Sequence, residues 1–243
     1  MGRWQNTTYV ACGDVSRVAD TLVALCRDEG MGPVARPALR QPPRYDPMQY
    51  ADALENNLWG AAVFPGAPGW TVVKTAPFEL LAERAPGAGG MRLAALGNRL
   101  GAGGCQVNLY DSSALILLEM DRCGGCVLSG HHPAGGLTFR DEEIAEDRVE
   151  VRFDSLPLRH LIGQCTHDAY GGPLLDNDEL VDRLAQTLAG ANAAWCDNRI
   201  MVDCLMPHRP LPIPGGTELY FAWPPGDRSD LLGEIFAQDL LRT

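Results

Sequence analysis

The sequence predicts an α+β protein: a mixed, largely antiparallel sheet with helices packed on one face. Three observations predict it. Two β-rich apolar runs, at 58–64 and 70–75, are joined by Pro65-Gly66-Ala67-Pro68-Gly69, a five-residue hairpin signal. Three further apolar runs, at 105–110, 114–120 and 126–129, are separated by short turn segments alone. Helical spacing appears beside these strands and not in strict alternation with them, which argues against a parallel βαβ sheet.

The elements follow in order. Residues 7–12 read as a strand. Asp14 is placed as an N-cap, because Val15, Val18, Leu22, Leu25 and Cys26 recur at helical spacing until Gly30 closes the helix. Pro33, Pro37, Pro42, Pro43 and Pro47 make 32–47 a tethered loop without regular structure. Asp46, Pro47 and Gln49 then start a helix that runs to about residue 57. After the hairpin, whose turn should be exposed and tolerant of insertion, Pro77 opens a helix at 78–85. A Gly-rich break follows, and 91–100 continues helically. Residues 149–153 read as a strand. Asp176-Asn177-Asp178-Glu179 offers a capping box for a helix at 180–188 that Gly190 closes. Strands at 199–204 and 218–223 bracket a proline-rich connector, and an amphipathic helix from Ser229 to Leu240 ends the chain. The loosened Pro133-Ala134-Gly135-Gly136 suggests two lobes of similar texture, 1–132 and an acidic 133–243, or one continuous domain.

Charge removes several function classes. The chain of 243 residues carries a net −11. Residues 1–120 are nearly balanced, with ten basic and eleven acidic side chains, whereas residues 121–243 hold ten and twenty. Tracking of nucleic-acid phosphates needs basic stripes, and an anionic membrane would repel this surface, so neither is expected as a partner. The longest uncharged apolar run, at 114–118, is far below the roughly 20 residues of a membrane span. The opening Met1-Gly2-Arg3-Trp4-Gln5-Asn6 has no apolar signal core, so a cytoplasmic location is expected. The densest acidic run is 141–147. Glu142, Glu143, Glu146 and Asp147 there are the candidate contacts for a basic protein partner, with a merely solvated face as the alternative.

Cysteine and lysine usage bear on chemistry. With no signal core and an ample apolar content, the eight cysteines are expected to be reduced, several of them as buried small hydrophobes. Of twenty basic residues, Lys74 alone is lysine. A P-loop needs lysine after glycine, and Lys74 follows Val73, so that nucleotide site is excluded. A Schiff-base enzyme would have to use Lys74 itself, but a strand-edge or surface position is the expectation for it.

Two constellations could carry catalysis. Cys123-Gly124-Gly125-Cys126 brings two thiols to one tight turn, and His131 follows at the spacing that opens a zinc knuckle. The next ligand position is Gly136, so the knuckle is incomplete and a plain hairpin turn competes with it. No cofactor is expected; zinc at Cys123, Cys126 and His131 is the one alternative. Cys165-Thr166-His167-Asp168 sets a thiol, an imidazole and a carboxylate close together as candidate catalytic groups. No GxSxG, HExxH or GxGxxG motif is present, since Gln106 stands where the last glycine of Gly101, Gly103 and Gly104 would belong. Tyr220, Phe221 and Trp223 alternate, leaving one aromatic face as a possible partner patch. Two functions follow from this reading. The first is a soluble intracellular binding module, in its narrower form an inhibitor or immunity-type protein, that takes a basic partner through its acidic second half. The second is a thiol or zinc enzyme built on Cys123, Cys126, Cys165 and His167.

Overall fold

A computed structural model of the chain describes residues 3, 5–35, 58–76, 80–81, 91–110, 112, 114–123, 126–133, 177–197 and 211–222. The strands are β1 (Gln5–Val10), β2 (Gly32–Pro33), β3 (Leu58–Pro65), β4 (Thr71–Ala76), β5 (Gly104–Tyr110), β6 (Ala114–Met120), β7 (Cys126–Pro133) and β8 (Thr217–Ala222). They form one sheet in the order β2-β8-β3-β4-β1-β5-β6-β7, and every pairing is antiparallel. The helices are α1 (Val15–Asp28), α2 (Arg92–Leu100) and α3 (Asn177–Ala189), the last continued by a 3-10 segment, Gly190–Cys196. The α+β class with an antiparallel sheet is thus the architecture of the chain.

Local chemistry explains the helix ends. Asp14 caps α1 by accepting from the Arg17 amide at 3.0 Å. Gly101 closes α2 in the left-handed region, φ +60°, where its amide and that of Ala102 reach back to Asn98 and Gly97. Gly190, at φ +57°, ends α3 as expected, but the chain tightens into the 3-10 segment instead of leaving the core. One expectation for 32–47 changes. Gly32 and Pro33 pair with Ala222 and Phe221 as a two-residue edge strand, a position where proline costs no ladder bond.

Both faces of the sheet are covered, not one. Helices α1 and α2 lie over Val10, Ala61, Val63, Val73, Leu118 and Met120. Helix α3 and the 3-10 segment lie over Tyr9, Ala62, Phe64, Val72, Val107 and Leu117. The strands require this, because β3 and β4 bury apolar residues of both parities and all six residues of β1 are buried. Strand β8 sits inside the sheet between β2 and β3, so α3, the 3-10 segment and β8 add to the same sheet and core as β1 and β3–β6. Tyr220 and Phe221 are both buried, at 6% and 1% exposure, which removes them as a partner patch; Trp223 is outside the described residues. The strand expected at 149–153, that at 199–204, and the helices at 47–57, 78–85 and 229–240 also fall outside them, apart from Leu80 and Leu81.

The β3–β4 turn is pinned. Ala67 donates its amide to the Leu188 carbonyl at 2.9 Å, and Asn192 donates to the Pro65 carbonyl at 2.8 Å. A Cβ on Gly66 would stand 2.5 Å from the Leu188 oxygen. Insertion at this turn is therefore expected to be costly, contrary to the sequence-based reading. Gly66→Ala should lower stability by about 1–3 kcal/mol through overpacking, measured as a fall in the urea midpoint. An unchanged midpoint would mean that the turn and the end of α3 separate freely.

Candidate functional site

The fold gathers its most unusual chemistry on β1 and β4, in the middle of the sheet. Gln5, Asn6, Thr7 and Thr8 are four consecutive polar residues with at most 1% exposure. Because side chains alternate along a strand, the register splits them between the two faces. Gln5 and Thr7 share the α3 face with Tyr9 and Lys74, whereas Asn6 and Thr8 share the opposite face with Thr75, Gln106 and Asn108.

Lys74 is the centre of the α3-face cluster. It lies in a strand flanked by β3 and β1, at 2% exposure, which corrects the expectation of an edge or surface lysine. Its Nζ donates to the Cys196 carbonyl at 2.6 Å and to Thr7 Oγ1 at 3.1 Å. Gln5 Nε2 also donates to Thr7 Oγ1, at 3.3 Å, and Gln5 Oε1 accepts from Arg3 at 2.6 Å. Arg3 in turn reaches Asp182 of α3 at 2.6 Å. A continuous polar chain thus runs from the surface of α3 to the centre of the sheet. Burial pushes the Lys74 ammonium down from 10.5 to about 7, partly opposed by Cys196 and Asp197 and reinforced by Arg3. Burial likewise pushes the Cys196 thiol up, with Lys74 pulling it partly back, and holds the Tyr9 hydroxyl well above its ordinary value. The chemical capacity of this group is an amine that is half neutral near pH 7 but closed to solvent.

On the opposite face, Asn6 donates to Asn108 at 2.8 Å and Thr75 to Asn6 at 3.4 Å. Gln106 and Thr8 face each other across β1 and β5, and among the described residues neither the Gln106 amide nor the Thr8 hydroxyl has a hydrogen-bond partner. Leaving such groups unpaired costs about 1–3 kcal/mol each. That cost makes β1 an expensive strand to fold.

The candidates read from the sequence are placed differently. Cys123 is exposed in the β6–β7 hairpin turn, where its amide donates to Asp121 at 2.7 Å. Cys126 begins β7 opposite Met120, while His131 lies five residues on, opposite Ile116. From Cys126 onward β7 pairs antiparallel with β6. Among the described residues no group of three or more His, Cys, Asp or Glu is placed to hold a metal ion. Cys165, His167 and Asp168, and Glu142, Glu143, Glu146 and Asp147, lie outside the described residues. Cys12, Cys26, Cys105, Cys123 and Cys196 are not in disulfides, and the thiol of Cys26 is pushed up to about 12 by burial and the nearby Glu29 carboxylate.

Surface features are modest. An open groove of about 420 Å³ on α1 is lined by Asp14, Arg17, Asp20, Thr21 and Arg99 among others, and Arg99 is ion-paired with Asp28 at the end of α1. On α3, Glu179 and Asp182 are half-exposed and ion-paired with Arg183 and Arg3. No helix among the described residues is long and apolar enough to cross a membrane. No known protein-family model matches the chain, and no curated protein or solved structure shows a significant likeness to it.

Proposed function

We propose that this chain is a protein-binding module that takes a basic protein partner against its acidic second half, with inhibition of that partner as the narrower form. The observation that carries the reading is the charge distribution. Twenty acidic residues stand against ten basic ones in 121–243, beside near balance in 1–120. The described part of that half is consistent with this, since 177–197 carries Asp178, Glu179, Asp182 and Asp197 against Arg183 alone. Rim charges act chiefly on association, because the long-range field steers encounter and salt screens it within about 8–10 Å.

The test is kinetic. A partner recovered in stoichiometric amount should associate more slowly as ionic strength rises. Reversing Glu142, Glu143 and Glu146 to Arg should slow association a further tenfold or more, on the order expected for steering charges. Equal association rates for wild type and the triple variant would remove 141–147 from the interface. A second reading, thiol chemistry, is favoured by one observation: Cys123 is exposed and sits at a tight turn three residues before Cys126. A fast-reacting Cys123 and a reversible Cys123–Cys126 disulfide are its expected signs, and a slow, ordinary thiol would leave it without support.

A further inference from the structure

We propose that the groove between α1 and the β2–β8 edge of the sheet seats an arginine side chain, its stem on the apolar wall and its guanidinium at Glu218, an assignment that rests on the basic partner proposed above. The groove has a volume of about 220 Å³ and is lined by Val23 of α1, Pro33 and Val34, and Glu218 and Leu219 of β8, among others. Its place follows from the shortness of β2. That strand pairs with Ala222 and Phe221, and the Val34 amide then donates to the Tyr220 carbonyl at 2.9 Å, so β2 stops short of Leu219 and Glu218. Beyond it the α1 side offers Val23 and Leu219, both only partly buried. Val34 is 40% exposed, the one large apolar side chain exposed to that degree among the described residues.

Three features select that occupant. Val34 turns its amide toward β8, so its neighbour Pro33 faces the outer side of the edge, where proline has no N–H to offer an added strand. The edge is therefore suited to a side chain and not to a further strand. The wall of Val23, Pro33, Val34 and Leu219 suits an aliphatic stem, which lies on apolar surface while its charged end stays at the rim. Glu218, half-buried, is the one charged residue among those that line the groove. On α1, Asp20 and Arg27 stand about one turn to either side of Val23 and leave no net charge there. A carboxylate accepts at about four sites, so Glu218 takes a guanidinium beside the interaction it already makes within the chain. The planar fork of arginine matches a carboxylate better than the point charge of lysine.

Titration of the intact protein with the peptide acetyl-Gly-Arg-Gly-amide, followed through the NMR signals of the Val23, Val34 and Leu219 methyl groups, tests the seat. These signals should shift and saturate in the millimolar range. The same peptide with citrulline, which keeps the shape of arginine without its charge, should bind about threefold more weakly, as for a partly exposed ion pair. Glu218→Gln should bring the arginine peptide down to the citrulline value and leave the citrulline peptide unchanged. Val34→Ser, on the exposed rim, should weaken both peptides. No saturable shift, equal binding of the two peptides by the wild type, an arginine affinity unaltered in Glu218→Gln, or unaltered binding in Val34→Ser would each overturn the seat. A norleucine peptide that outbinds both would do so too, by making the occupant an apolar side chain. Should Glu218→Gln not fold, the wild-type discrimination between arginine and citrulline decides together with Val34→Ser. These titrations contain no partner, so their failure leaves the basic-partner reading intact. Failure of that reading shows instead in the 141–147 kinetics, while the peptide still binds.

Discussion

Replacing Lys74 by methionine is expected to abolish about 4 kcal/mol of the rise in stability that the wild-type protein gains between pH 6 and pH 10. In the folded chain the amine titrates near 7; in the unfolded chain it titrates near 10.4. Between those values the unfolded state holds a proton that the folded state lacks, so raising the pH favours folding by up to about 1.4 kcal/mol per unit. Below pH 7 both states are protonated and the folded state bears the full cost of a buried ammonium. Methionine fills similar space and does not titrate. It also removes one donor from the Cys196 carbonyl, a fixed cost that displaces its curve without changing the slope. Urea denaturation of both proteins at pH 6 and pH 10 gives the difference directly. Equal pH dependence in the two would mean that Lys74 keeps its charge in the folded state.

Lys74 also marks where the sequence was legible and where it was not. The strands, the hairpins and α1, α2 and α3 follow from period and capping, because those signals are local. Asp14, Gly30 and Gly101 each act within one turn of the chain. What covers a strand is not local. Trp70, Val72 and Lys74 alternate with Thr71, Val73 and Thr75, and that pattern alone allows either face to be buried. The decisive signal was in the partner strand. Residues 61–64, Ala-Ala-Val-Phe, are apolar at both parities, so a neighbour paired to them is covered on both faces, and Lys74 pairs with Ala62. The polar run Gln5–Thr8 misleads for the same reason. It begins as a solvent-facing segment would, yet β1 lies between β4 and β5.

Arg92→Met is expected to cost about 3–5 kcal/mol, because it removes one half of a buried ion pair. Arg92 is 3% exposed, and its Nε reaches both oxygens of Glu29, itself 7% exposed, at 2.8 and 2.9 Å. The same guanidinium donates to the Leu80 carbonyl at 2.9 Å and lies 5.1 Å from the centre of the Trp59 ring. Glu29 is the C-cap of α1, where the carbonyl end of the helix already disfavours a negative charge. Without Arg92 the carboxylate would lose the guanidinium that faces it among the described residues, in a place that leaves its side chain little solvent. The pair itself need not be strongly stabilising, since two desolvated charges recover little more than they lose. The double variant Arg92→Met with Glu29→Met should therefore regain about 2 kcal/mol over Arg92→Met alone. Thermal or urea denaturation of the two single variants and the double one separates these terms. A loss below about 1 kcal/mol for Arg92→Met would mean that Glu29 swings out to water, and that α1 and α2 are held together by their leucines and not by this pair.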